Sequence, residues 1–181
     1  MPDRMIGDRA MPDRPALDRL VREAAAAFSE RGYDAVRIES ISDAAGVAKG
    51  TVYRHFASKD ELFLAAAEWA AADALRAFAV ATEGRQLTEA EAVAVLSEVL
   101  SDGMALVLEF ATRALQQRAD YAVALRRLVD DLSGAFARCV SGPPRDAAVR
   151  GRRVLEAALS AAYRRRLAAA IATPGAGADP G

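Results

Sequence analysis

The sequence predicts an all-α chain in two parts, a three-helix head followed by a longer set of antiparallel helices. Three observations predict it. Alanine and other strong helix formers dominate, with 7 prolines in 181 residues. No segment sustains the period-2 alternation of β-branched residues that a strand needs. Glycines, prolines and Ser/Thr-x-x-Glu boxes recur at helix-length intervals, where they start and stop helices. A chain of this length fits one generous domain or two small ones, and its apolar content can bury a core without a disulfide or metal.

Residues 1–14 repeat Met-Pro-Asp-Arg at 1–4 and 11–14 and carry few apolar side chains, so a disordered arm is expected, with Met5 and Met11 as alternative starts. Pro15 suits the first turn of a helix. Leu17, Leu20, Val21, Ala24 and Phe28 share one face, and Gly32 ends this first helix, about 15–31. A second helix covers about 38–45, ended by Gly46, and a third about 49–55. Ser58 and Glu61 form a capping box, each meeting the other's orphan backbone donor, so a fourth helix starts at Lys59 and runs to about 82. Thr88 and Glu91 repeat the device. Further helices are expected over roughly 89–101, 104–118, 120–141 and 145–172, the last two parted by Ser141-Gly142-Pro143-Pro144. Residues 173–181 are expected to be a disordered tail. The head then spans 15–75, with a helix-turn-helix at about 37–56, and the second domain spans 76–172.

Net charge is −1, so no global field draws polyanions and any affinity for them has to be local. The two lysines, Lys49 and Lys59, and the one histidine, His55, fall within eleven residues, whereas 22 arginines spread along the chain. Between Ala44 and Lys59 there is no acidic residue, and Lys49, Arg54 and Lys59 give a local +3. The single cysteine, Cys139, cannot bridge within the chain and reads as a small buried helix residue, which fits a reducing compartment. No apolar run reaches the ~18 residues of a membrane span, and the N-terminus lacks a signal peptide's apolar centre. A cytoplasmic location is expected, with no membrane partner. One histidine, one cysteine and no glycine-rich phosphate loop assemble no catalytic constellation, so no enzyme, metal site or cofactor is expected.

The stretch from Ala45 to Leu62, AGVAKGTVYRHFASKDEL, carries the chemistry. Gly46 supplies the left-handed residue of a tight turn, and Ala44 and Ala45 are small enough for two helices to approach closely. Ile41, Val47, Val52 and Phe56 are spaced to face inward, against Phe28 and Ile38. That leaves Lys49, Gly50, Thr51, Tyr53, Arg54 and His55 largely exposed. They offer cations, a hydroxyl, an amphipathic ring and a glycine that obstructs nothing, which suits phosphates and base edges in a major groove. Lys59 opens the fourth helix, where free N–H groups and the helix dipole favour a phosphate.

From Phe28 to Phe63, FSERGYDAVRIESISDAAGVAKGTVYRHFASKDELF resembles the TetR family of bacterial transcriptional regulators almost without gaps. The resemblance covers about residues 15–70. It implies that the third helix is a recognition helix, with Lys49, Gly50 and Tyr53 at base- or groove-contacting positions. It also implies phosphate contacts from Thr51, Tyr53, His55 and Lys59, and places Arg54 where sequence preference is tuned. Two residues depart from the family pattern. Ala48 stands where a serine often caps the third helix, so ~1 kcal/mol of cap is missing. Arg37 stands where a threonine often opens the second helix and touches phosphate; arginine can reach the backbone but cannot cap.

In this family the second domain usually binds a small molecule and forms the homodimer. Tyr121, Leu125, Leu128, Leu132, Phe136 and Val140 make one apolar stripe, and Val154, Leu155, Ala158, Leu159 and Ala162 another. Two such helices could pair with a second copy as a four-helix bundle, or face the monomer's own core. Arg164, Arg165 and Arg166 read as a solvated helix end. Trp69, Phe78, Met104, Phe110 and Tyr121 are candidate ligand-lining residues, equally readable as core. Glu109 lies in the most apolar surroundings of any acid and is expected to pair with Arg113 at i+4.

The leading expectation is a sequence-specific DNA-binding transcriptional regulator, most often a repressor in this family. It would bind a palindromic operator as a homodimer, its recognition helices about 34 Å apart, and be released by a small-molecule effector. A protein-interaction module that had lost DNA would lack the Lys-Thr-Tyr-His set, and all four are present.

Overall fold

Left-handed glycines and capping residues decide where each helix stops. The computed structural model describes residues 14–100, 104–117 and 119–172; the expected arm up to residue 13 and the expected tail at 173–181 lie outside the described residues. Among these it is all-α: α1 (Arg14–Ala35), α2 (Ile38–Ala45), α3 (Lys49–His55), α4 (Lys59–Ala81), α5 (Glu89–Val99), α6 (Met104–Gln117), α7 (Ala119–Cys139) and α8 (Ala147–Ala172), with a 3₁₀ turn at Pro144–Asp146. Gly32 breaks α1 at φ 75°, a conformation cheap only for glycine, and one irregular turn carries the chain on to Ala35. Gly46, at φ 64°, ends α2. Its N–H and that of Val47 reach back to Asp43 and Ser42 at 3.1 and 2.9 Å, and the chain turns into α3.

The two capping boxes differ. At Thr88 the box is complete, with Glu91 N–H donating to Thr88 Oγ1 at 3.3 Å and Thr88 N–H to Glu91 Oε2 at 2.9 Å. At Ser58 only half of it forms. Ser58 Oγ accepts the Glu61 N–H at 3.2 Å, but the Glu61 carboxylate takes the Ala57 N–H at 2.7 Å instead of that of Ser58. The carboxylate goes one residue further out, to a donor with no backbone acceptor of its own among the described residues.

Buried side chains form two clusters, and α4 serves both. Leu62, Phe63, Ala66 and Ala67 face a front core with α1, α2 and Val52 of α3, whereas Ala71, Ala74 and Phe78 face a rear core with α5, α7 and α8. Leu106, Phe110 and Tyr121, from α6 and α7, also belong to the front core. The helices after α4 thus complete the packing of those before it.

The apolar stripes of α7 and α8 pack within the monomer. They are not available for the four-helix bundle with a second copy that their spacing allowed. The two helices approach closely at Gly151, where a Cβ would overlap the Ser133 carbonyl oxygen. Cys139 is half-buried. Arg164 and Arg165 are exposed near the end of α8, while the Arg166 side chain lies outside the described residues. No helix among the described residues is long and apolar enough to cross a membrane.

Candidate nucleic-acid interface

A seven-residue helix is marginal by itself, so α3 has to be held by its neighbours. Val52, fully buried, is its anchor, with Ile41 of α2 buried nearby and Val47 and Phe56 half-buried at its two ends. Ala45 is buried at the corner between α2 and α3; Ala44, expected to help their approach, is exposed. Neither Ala48, at the N-cap of α3, nor Arg37, at the N-cap of α2, makes a side-chain cap. Arg37 is exposed.

With Val52 inward, Lys49, Gly50, Tyr53 and Arg54 face out, and Thr51 is half-buried. Tyr53 is 47% exposed. A Cβ on Gly50 would meet nothing within 4 Å, so nothing in the monomer's packing requires a glycine there. The helix presents cations, a ring and a bare stretch of backbone on one side.

Three expected contacts are less free than the linear sequence suggests. The Lys49 ammonium pairs with the Glu39 carboxylate of α2 and lies 5.8 Å from the centre of the Tyr53 ring. Their hydrogen bond holds the lysine pKa above and the glutamate pKa below the ordinary values. A segment without acids in sequence therefore has one opposite it in space, and Glu39 offsets part of the local +3. Lys59 is half-buried with its Nζ 4.3 Å from the centre of the Tyr33 ring, and burial lowers its pKa. His55, expected to be largely exposed, is half-buried, its Nε2 buried without a hydrogen-bond partner.

Sequence reasoning missed Glu39 and Tyr33. Glu39 and Lys49 are ten residues apart across a turn, outside the i,i+3 and i,i+4 spacings that identify pairs within a helix. Tyr33 follows Gly32 at the break in α1, and its ring meets Lys59 at the start of α4.

The five candidate ligand-lining residues do not share one pocket. Phe78 packs edge-on against Phe136 in the rear core, ring centres 5.0 Å apart, and Phe110 and Tyr121 pack together at 5.4 Å in the front core. Met104 begins α6, and its side chain lies outside the described residues. Trp69 borders an open cleft of about 730 Å³ between α1, α4, α5 and α6, with Arg22, Glu30, Asp73 and Glu98 among its lining. Glu109 does pair with Arg113, at 3.5 Å, and it also accepts the Tyr33 N–H on both oxygens at 2.9 Å.

Residues 20–66 match the model of the bacterial regulatory proteins, tetR family. The transcriptional repressor KstR2 of Mycobacterium tuberculosis is 49% identical over 43 residues, 24% of this chain and 22% of that protein. The transcriptional activator FasR of Mycolicibacterium smegmatis is 42% identical over 55 residues, 30% of this chain and 25% of that protein. The chain thus spans about a quarter of the length of the curated relatives it matches. The fold extends further. The regulatory protein TetR from Rhodobacter sphaeroides superposes with a TM-score of 0.65 at 21% identity, covering 84% of this chain and 89% of that one. FadR from Bacillus subtilis, solved with stearoyl-CoA, gives 0.59 at 13% identity, covering 84% and 88%. Residues 20–66, which hold the helix-turn-helix described above, thus carry the sequence pattern of the tetR family of bacterial regulatory proteins, and the likeness over the rest of the chain is one of fold.

Proposed function

We propose that the chain is a sequence-specific DNA-binding transcriptional regulator. The observation that carries this reading is the outward face of α3. Lys49, Gly50, Tyr53 and Arg54 stand in solvent while Val52 anchors the helix from behind. Cations position a protein on phosphates, and side chains on an exposed short helix reach base edges. Lys49 has to leave Glu39 to meet a duplex. Thr51, His55 and Arg37 flank this face, and Lys59 adds a phosphate contact at the start of α4, where dipole and lysine act together. The head spans 15–75 and a regulatory domain 76–172.

The regulator binds a palindromic operator as a homodimer, its recognition helices about one duplex turn apart. Since the α7 and α8 stripes are occupied within the monomer, a second copy meets other surface. Tyr163, Leu167 and Ile171 stand exposed at four-residue spacing on α8 and form one such face. A small molecule releases the operator, and tenfold weaker DNA binding requires about 1.4 kcal/mol of coupling. FadR shows that this fold can hold a small ligand. The named relatives include a repressor and an activator, and repression is the sign proposed here.

Gel shifts with the chain's own upstream region, at two salt concentrations, test the reading. A selective, salt-sensitive shift is expected, with a slope of roughly −2.7 per head if three phosphates are contacted. Tyr53→Ala removes selectivity, whereas Lys59→Ala weakens all duplexes alike. Gly50→Ala separates fold from function: it leaves thermal stability unchanged or raised by up to about 1 kcal/mol and weakens DNA binding by obstructing close approach. Wild-type protein that shifts no duplex would instead favour a protein-interaction module.

A further inference from the structure

Tyr33 joins the two halves of the chain. Gly32 breaks α1, which leaves the next amide without its helical acceptor, and both oxygens of Glu109 on α6 lie 2.9 Å from it. The Tyr33 hydroxyl donates to Asp60 of α4 at 2.6 Å. Two cations lie against the same ring, Lys59 Nζ at 4.3 Å and the Arg113 guanidinium carbon at 3.8 Å from its centre. Arg113 is held in turn by Asp34 at 3.0 Å and Glu109 at 3.5 Å. Phe28 stacks near the ring and Phe63 meets it edge-on, so it cannot slide without disturbing the front core.

We propose that Tyr33 is a positioning residue for Lys59, and that Glu109 and Arg113 of α6 hold Tyr33 in place from the other half of the chain. The inference rests on the DNA-binding reading above. A lysine is a flexible point charge with a large rotamer entropy to lose on meeting a phosphate. Resting on an aromatic face, Lys59 has lost part of that freedom before DNA arrives. The ring is itself fixed by contacts from three elements, one of which, α6, lies beyond the DNA-contacting head. A displacement of α6 therefore reaches a phosphate-facing cation through one side chain. Burial first, and the Asp60 hydrogen bond second, push the Tyr33 phenol up to about 12, which keeps it a neutral donor.

Fluorescence anisotropy with duplexes of the upstream region, titrated with salt, tests the proposal in the full chain. The variants are Tyr33→Phe, Tyr33→Leu, Arg113→Gln and Lys59→Ala, each singly, with Tyr33→Leu and Arg113→Gln also combined with Lys59→Ala. Tyr33→Leu is expected to weaken binding about three- to tenfold and to shorten the salt slope by about 0.9, the loss of one phosphate contact, as Lys59→Ala does. Tyr33→Phe keeps the ring and should keep the slope. In the Lys59→Ala background Tyr33→Leu should have no further effect on affinity. Arg113→Gln should weaken binding less, again only while Lys59 is present, and it carries the test alone if Tyr33→Leu does not fold. Additive losses, or an unchanged slope in a folded Tyr33→Leu protein, would overturn the assignment. No salt-dependent binding by the wild-type chain would instead overturn the DNA-binding reading itself.

Discussion

The front and rear cores solve the same packing problem with different materials. The front core threads a run of rings, Phe28, Tyr33, Phe63, Phe110 and Tyr121, with neighbouring centres 5.0 to 6.0 Å apart. The rear core has one ring pair, Phe78 with Phe136, and otherwise relies on alanine, leucine and valine, with Gly151 letting α7 and α8 touch backbone to backbone. The outward surfaces differ as well. In front, both lysines and the histidine of the whole sequence sit on or beside α3. Behind, exposed arginines of α8 pair with acids of neighbouring helices, Arg152 with Asp130 and Arg153 with Glu89. Many sequences can pack alanine against leucine, but few can bury Val52 while holding Lys49, Gly50 and Tyr53 outward. That difference agrees with the similarity found: the family model stops at residue 66, whereas the fold likeness covers most of the chain at low identity.

The largest test of this contrast removes one ring from each core. Phe63→Ala and Phe136→Ala delete fully buried side chains, and each should cost about 3–5 kcal/mol. Because α4 lines both cores and α6 and α7 reach into the front one, either change should lower a single cooperative melting transition. If calorimetry of Phe136→Ala shows a rear transition melting apart from the front, α4 does not couple the cores. A smaller effect is expected at the α7–α8 contact. Gly151→Ala places a methyl group on the Ser133 carbonyl, where backbone must give way, and should cost about 1–3 kcal/mol. Gly134→Ala on the facing helix meets nothing within 4 Å and should be neutral or mildly stabilising. Equal melting temperatures for the two variants would mean that the rear helices part without cost.

The limits of the sequence reading follow the same division. Helix boundaries were legible because a glycine at positive φ or a Ser/Thr cap leaves a local signature, as at Gly32, Gly46 and Thr88. The outward face of α3 was legible because one buried valine in seven residues fixes the side that faces in. Glu39 against Lys49 and Tyr33 beneath Lys59 were not, because each contact crosses a turn or a break in a helix and has no fixed spacing. The pocket was illegible for a different reason. Phe78, Phe110 and Tyr121 look alike in sequence whether they line a cavity or fill a core, and here they fill two different cores. Exposure separates them from Trp69, and a sequence carries no exposure.

The smallest effect sharpens the comparison where the halves meet. Tyr33 titrates near 12 in the fold, against an ordinary value of 10.0. A group whose folded pKa is raised keeps its stabilisation in full below the unfolded pKa and loses it as pH climbs through the folded one. The unfolded chain releases the Tyr33 proton near pH 10 while the native state retains it, so stability should fall across about pH 10 to 12. Asp60 of α4, Asp34 of α1 and Arg113 of α6 act on the phenol, Glu109 of α6 holds the Tyr33 backbone and Arg113, and Lys59 lies over the ring; with its pKa lowered by burial, Lys59 opposes the trend over part of the window. Comparing Tyr33→Phe with wild type isolates the phenol, because Phe keeps the ring and every other charge. Urea midpoints of the two proteins should hold a constant difference up to about pH 9.5, and above it wild type should lose stability relative to Tyr33→Phe. A constant difference through pH 12 would mean that the hydroxyl is solvated in the fold and that Asp60 does not hold it.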